Sequence, residues 1–353
     1  MNRHLAFLPA LALLLCGCDK ADDDTTLQDS ITFDVETLPG TRGSVIGGNT
    51  LPTTESFRVY AWETVGSETT AMMTRDAGNA ESNVVSNASG YWAPQKRYYW
   101  PTDEGATVSF YAVYPKDHAV TRTADDLTID FTVPADVSSQ YDMMAAKTEG
   151  IALAGTQDGA VPLAFSHLTS QVSFRARLAT AFEGWQVDVR SIRVCNVNSR
   201  GTYSYGSATV TPANPAVMRN YDLIMAATSV TVASTSEAVS LTSAADVAML
   251  LPQTLTAWDR TTETSSSGAP STTGCYLAIG CTITDSDGNR AYSGNTYVPL
   301  SAEWQAACHY NYLLEFGTGY QGDGQFSVNN IALTVAIAEW ATGNSGSAEA
   351  VLD

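Results

Sequence analysis

The chain has little charge and few cations. Charged residues make up 16% of its 353 positions, against roughly 25% in an average soluble chain. Lys and Arg total 18 against 37 Asp and Glu, so the formal net charge is −19 and the pI is near 4.4. A field of that sign repels polyanions, which excludes a general nucleic-acid binder and adhesion to an anionic membrane surface. His is present only four times, which leaves little material for metal or acid–base chemistry. No C-x-x-C and no G-x-S-x-G occurs. No stretch holds a 3.6-residue apolar period beyond a few turns, and no segment beyond the N-terminus approaches the ~20 apolar residues of a membrane helix. Short helical pieces are expected only around residues 244–250 and 301–307.

What is present is alternation. Phe57-Arg58-Val59-Tyr60-Ala61-Trp62, Val108 to Tyr114, Leu127 to Val133, Val172 to Leu178, Cys275 to Thr284, Tyr310 to Phe316 and Ile331 to Ile337 all repeat with period two. Such runs place one face on a core and the other in water, as in antiparallel sheets. Turn chemistry bounds them at Pro39-Gly40, Gly47-Gly48-Asn49, Asp285-Ser286-Asp287-Gly288-Asn289 and Gly317-Thr318-Gly319. With 44% hydrophobic residues the chain can build cores, and its length fits about two domains. The reading is an all-β protein of two packed sandwiches, residues 31–168 and 169–353.

The N-terminus carries an address. Asn2-Arg3-His4 is a short basic region, and Leu5 to Leu15 is an apolar run too short to span a bilayer. It ends in Leu15-Cys16-Gly17-Cys18, the form of a bacterial lipobox. Residues 1–17 are therefore expected to be removed between Gly17 and Cys18, with Cys18 acylated and anchored to lipid. Residues 18–30 form a tether that includes Asp19-Lys20-Ala21-Asp22-Asp23-Asp24. The remaining cysteines, Cys195, Cys275, Cys281 and Cys308, are expected as free thiols. Cys275 and Cys281 share one strand and parity, which sets them roughly 20 Å apart, too far for a disulfide.

Tests for chemistry return turns and structural side chains. Gly317 to Gly322 fits G-x-G-x-x-G but lacks the following helix and distal acid of a dinucleotide site. The Asp285–Asn289 run lacks the closing Glu of a calcium loop and reads as a hairpin. His167 reads as a structural histidine, with no partner acid near it and Ser170. No metal site, cofactor or catalytic residue is expected, and the chain is read as a non-enzyme. Aromatics at Tyr91, Trp92, Tyr99 and Trp100 could form a stacking platform for a glycan. A surface glycan-binding lipoprotein is therefore the alternative function.

The motifs in order resemble the fimbrillins (FimA/Mfa-like), the pilins of Bacteroidetes type V pili. They are the lipobox and acidic tether, Ile31-Thr32-Phe33-Asp34-Val35, Thr41-Arg42-Gly43, Phe57 to Tyr60, Tyr99-Trp100-Pro101 and Val108 to Pro115. Phe165-Ser166-His167-Leu168-Thr169-Ser170-Gln171-Val172, Leu250 to Gln253, Trp304 through Phe316 and Ile331 to Trp340 follow. The resemblance implies two transthyretin-like antiparallel β-sandwich domains in tandem, and a cell-adhesion role at the outer membrane and then in the fimbrium. It implies that an Arg-specific or trypsin-like protease cuts after an arginine, here Arg42 before Gly43. The first strand (Ile31, Phe33, Val35) would leave, and a strand from another pilin subunit would replace it by donor-strand exchange. Residues 342–353 are Gly/Ser-rich and then only mildly apolar, so stalk, tip and anchor positions stay open.

Overall fold

The computed structural model describes residues 30–37, 51–123, 126–156, 159–262, 270, 273–318, 331–339 and 348–351. Their regular secondary structure is almost entirely β-strand, with three short 3-10 turns at Val137–Ser139, Leu153–Gly155 and Thr180–Phe182. Neither expected helical piece forms: each is a short strand beside bends or turns. Ala248–Leu250 pairs with Ser170 to Val172, and Ala302–Glu303 pairs with Thr254–Leu255. Local propensity there gives way to ladder hydrogen bonds and burial. No helix among the described residues is long and apolar enough to cross a membrane.

The N-terminal half is built on an eight-stranded sheet. Its strands lie in the order Thr32–Thr37, Ala160–His167, Met144–Ile151, Thr107–Tyr114, Ser56–Val65, Val84–Ser86 and Ala93–Pro94, with Glu68–Met73 attached to Ser56–Val65. The sheet curls until its ends meet. Ile31 donates its N–H to the Tyr98 carbonyl and Phe33 to the Trp92 carbonyl, each at 2.9 Å. Inside lie Phe57, Val59, Phe110, Val161, Leu163 and Phe165, all buried.

Alternation here does not mean one wet face. Ser56–Val65 sends Phe57, Val59 and Ala61 into this core and Tyr60 and Trp62 into a second one. Thr107–Tyr114 does the same with Phe110 and Ala112 against Tyr111 and Val113. The second face is covered because a four-stranded sheet lies over it, ordered Thr209–Pro212, Arg200–Ser204, Leu127–Thr132 and Thr121–Arg122. Tyr111 meets Tyr205 edge-on at 5.2 Å, and Tyr205 Oη donates to the Ala112 carbonyl at 2.6 Å. This sheet pairs Arg200 with Thr132 and Ser204 with Thr128, so it joins residues on both sides of position 168.

The C-terminal half carries Gln186–Asn198, Tyr276–Thr284 and Arg290–Pro299 in one sheet. A second sheet runs Ser170–Leu178, Cys308–Phe316, Ile331–Glu339 and Ala348–Val351. Ser170–Leu178 runs parallel to Cys308–Phe316, just as Thr32–Thr37 runs parallel to Ala160–His167. The Asp285–Asn289 segment is the expected hairpin: Asp285 Oδ1 accepts the N–H groups of Asp287 and Asn289 at 3.0 and 2.8 Å. Gly317 follows Cys308–Phe316 with φ of 90°, and a Cβ there would lie 2.4 Å from the Phe182 ring. Residues 319–322 of that glycine motif lie outside the described residues.

Candidate functional site: the seat of the first strand

Thr32–Thr37 and the two residues before it form the last stave of the N-terminal barrel. Ile31, Phe33 and Val35 point inward at 1, 4 and 5% exposure, while Asp34 and Glu36 face solvent. β-branched and aromatic residues at alternate positions explain why this short run is extended. One edge is a parallel ladder, with Phe33 opposite Val161 and Val35 opposite Leu163. The other edge makes the two hydrogen bonds to the Trp92 and Tyr98 carbonyls.

The seat itself is aromatic. Phe33 stands edge-on to Phe110 at 5.7 Å and to Phe57 at 6.2 Å. Phe57 in turn meets Phe165 at 5.1 Å and Trp92 at 5.5 Å, and Trp100 meets Phe110 at 5.9 Å. Edge-to-face contacts of this kind add about 0.5–1.5 kcal/mol each beyond the area buried. Burial of the Tyr98 phenol raises its pKa, and Lys96 lies 5.1 Å above its ring while pairing with Asp76 at 3.0 Å. A cleft of about 320 Å³ opens where the strand enters, lined in part by Ser30, Thr32, Tyr91, Gln95 and Arg97.

These positions settle the aromatic platform. Trp92 and Trp100 are 8 and 6% exposed and serve as walls of the seat, whereas Tyr91 and Tyr99 are 40 and 50% exposed. The four rings therefore do not make one face for a glycan. The alternation of the chain sends the larger indoles to the apolar side.

Other sequence-singled residues have structural roles. His167 pairs with Asp142 at 2.9 Å in a fully buried contact, so its partner acid comes from the segment just before Met144–Ile151, 25 residues earlier in the chain. Ser170 Oγ donates to the Gln305 carbonyl at 2.8 Å. Cys195, Cys275, Cys281 and Cys308 are thiols outside any disulfide, and burial pushes the thiols of the first three up to about 11, 11 and 12. No group of three or more His, Cys, Asp or Glu among the described residues could hold a metal ion. Gly17, Cys18, Arg42 and Gly43 lie outside the described residues.

Two features went unread in the sequence. Arg58, 2% exposed, sits behind the seat wall and donates to the Lys116 and Ala80 carbonyls at 2.8 Å and to Asn83 Oδ1 at 2.6 Å. Its one signal was a lone cation inside an apolar run. The other is a cleft of about 1280 Å³ in the C-terminal half, lined in part by Asn198, Gln253, Asp259 and Glu303. Its amides are already used: Gln253 Nε2 donates to the Asn198 and Leu251 carbonyls.

Comparison with known proteins follows the same lines. No curated protein matches the chain. Among solved structures, a fimbrial protein from Bacteroides vulgatus aligns with a TM-score of 0.60 at 15% identity, over 88% of this chain and 99% of its own. At that identity the likeness is one of fold. The fimbrial anchor protein Mfa2 from Porphyromonas gingivalis aligns with a TM-score of 0.35 at 11% identity, over 88% of this chain and 98% of its own. The family model described as fimbrillin-like matches residues 41–340. With most of its length covered by that model, this all-β chain belongs to the fimbrillin-like family.

Proposed function

We propose that the chain is a structural, adhesive pilin subunit that polymerises by replacement of its first strand. One observation carries this reading. A short strand, joined onward through the segment that holds Arg42, completes a barrel by filling an aromatic seat with Ile31, Phe33 and Val35. The precursor is anchored to the outer membrane through acylated Cys18, after cleavage between Gly17 and Cys18. An arginine-specific or trypsin-like protease then cuts between Arg42 and Gly43. Loss of the strand exposes Phe57, Phe110 and Phe165 and frees one edge of Ala160–His167. A strand from another subunit restores both the burial and the ladder. The architecture proposed for this role is a tandem of two transthyretin-like units meeting near residue 168.

Mass spectrometry of the N-terminus on producing cells tests the proposal. A mature chain beginning at Gly43 is expected in the polymer, and an acylated Cys18 in the precursor. Arg42→Ala should abolish the heat-labile, detergent-resistant ladders of assembled subunits. Unchanged ladders, or a polymer whose subunits still begin at Cys18, would refute strand removal at this site.

A further inference from the structure

The cleft in the C-terminal half has no part in strand replacement, yet it is built with care. We propose that this cleft, of about 1280 Å³, binds a neutral oligosaccharide. The backbone around it and the side chains that line it point to the same ligand class.

Irregular backbone makes the cleft. Among the described residues, three that are not glycine have φ in the left-handed region: Asn196 at 60°, Ala208 at 54° and Ala307 at 57°. Asn196 and Ala208 line the cleft, and Ala307 follows Ala306, which also lines it. Left-handed backbone is unfavourable for a residue with a Cβ, and such residues gather at ligand sites. Asn196 also sits where the ladder between Gln186–Asn198 and Met218–Asp222 shifts register, between Val194 and Val197. A bulge of this kind re-aims a strand beside a site. The floor is tied down. Trp258 N–H donates to the Cys275 carbonyl at 2.9 Å, and Cys275 N–H to the Thr256 carbonyl at 2.7 Å. Gly274 permits this approach, because a Cβ there would lie 2.7 Å from Trp258 Cα. Trp304 N–H donates to the Gln253 carbonyl at 2.9 Å, which fixes the paired strands Thr254–Leu255 and Ala302–Glu303. A cleft held this way is formed before a ligand arrives.

The lining selects the ligand. Thr254 and Glu303 stand opposite each other in their ladder, and Thr256 and Gln305 continue the same parity. All four are exposed and line the cleft, and none of their side chains has a hydrogen-bond partner among the described residues. Two hydroxyls, an amide and a carboxylate suit a ligand whose groups both donate and accept, as sugar hydroxyls do. Val210, Pro212 and the 46% exposed Met218 add apolar surface for the C–H face of a sugar ring. The volume exceeds the ~300–1,000 Å³ usual for one small molecule, which leaves room for several rings. No Lys, Arg or His is among the described lining residues, so an anion finds no counter-charge in a chain of net charge −19. A basic ligand gains little, because Asp259 turns Oδ1 to the Thr261 N–H and hydroxyl and Oδ2 to the Thr262 hydroxyl, all within 2.8 Å. An added peptide strand is also disfavoured. Ala213 N–H donates to the Arg200 carbonyl, so the outer edge of Thr209–Pro212 presents the backbone of Val210 and Pro212. Pro212 has no N–H, and one donor does not make a ladder.

Binding of the labelled full chain to an array of neutral, sialylated and sulfated oligosaccharides tests this, with an array of basic extended peptides beside it. Neutral oligosaccharides should capture the chain, and the sialylated or sulfated forms of the same glycans should do so less well. On the best-bound neutral one, Gln305→Ala should weaken binding roughly three- to tenfold and Glu303→Ala roughly ten- to hundredfold, as loss of a neutral and of a charged hydrogen bond does. Both residues are exposed, so the thermal midpoint should not move. Tyr91→Ala/Tyr99→Ala, at rings beside the first-strand seat, should bind like the wild type. Tighter capture by the acidic glycans or by the peptides, or no capture by any sugar, overturns the proposal. So does neutral binding that survives both cleft substitutions. Arg42→Ala should bind sugar as the wild type does, so a failure of strand removal and a failure of this site are read separately.

Discussion

Replacing Arg58 by Met removes a buried cation while keeping most of its apolar stem. Three acceptors then lose their donor: the carbonyls of Lys116 and Ala80, and Asn83 Oδ1. An unsatisfied buried acceptor costs about 1–3 kcal/mol. Asn83 is wholly buried and pays the full amount, whereas the two carbonyls belong to partly buried contacts that water can partly relieve. The expected loss is about 3–5 kcal/mol, the range found when one partner of a buried charged network is removed. Glu81 sits 3.5 Å from the guanidinium but is 39% exposed, so Glu81→Gln should cost under about 1 kcal/mol. Urea unfolding followed by tryptophan fluorescence provides the measurement, with a midpoint lowered by roughly 1–2 M for Arg58→Met. A loss below about 1 kcal/mol would show that the clamp does not hold the Ser56–Val65 wall of the seat.

Gly317→Ala drives a Cβ to within 2.4 Å of the Phe182 ring at a φ of 90°. It should cost about 2–4 kcal/mol in thermal or urea unfolding. Gly288→Ala, at a φ of 81° with nothing within 4 Å, should cost only about 1 kcal/mol. His118 and His309 are both held below their ordinary 6.5, chiefly by burial. The unfolded chain therefore binds protons first, so their contribution is intact above 6.5 and is lost as pH falls below it. A His118→Gln/His309→Gln variant should show a flatter stability profile across that range; an unchanged slope would contradict the assignment. Among Cys195, Cys275, Cys281 and Cys308, the first three should resist thiol reagents at pH 8 until the chain unfolds, because they are buried and their thiols titrate near 11, 11 and 12. Rapid labelling of Cys281 in the folded chain would contradict its placement.

Much of the fold was legible wherever one face of a strand is wet. In Leu127–Thr132, Ile129 and Phe131 are buried while Asp130 and Thr132 are exposed, and from Val172 to Leu178 buried residues alternate with half-buried ones. The inward set Ile31, Phe33 and Val35 was legible for the same reason. Ser56–Val65 was not, because both faces are covered, and Arg58 satisfies its charge by contacts far away in sequence. Parallel pairing also escapes a reading based on parity. Which strand lies beside Phe33 depends on the closure of the whole sheet. The aromatic run from Tyr91 to Trp100 misled for a related reason: composition counts rings but does not say which way each one points.

The parallel docking of Thr32–Thr37 on Ala160–His167 bears on the order of folding. A hairpin can form as soon as its second strand leaves the ribosome or translocon, but a parallel pair whose members are residues 32 and 160 must wait for everything between them. The loop to be closed is long, and its entropy is paid before any contact of the first strand is made. Through that interval the aromatic seat is open to any extended segment nearby. The N-terminal strand thus acts first as a late, intramolecular plug against premature association.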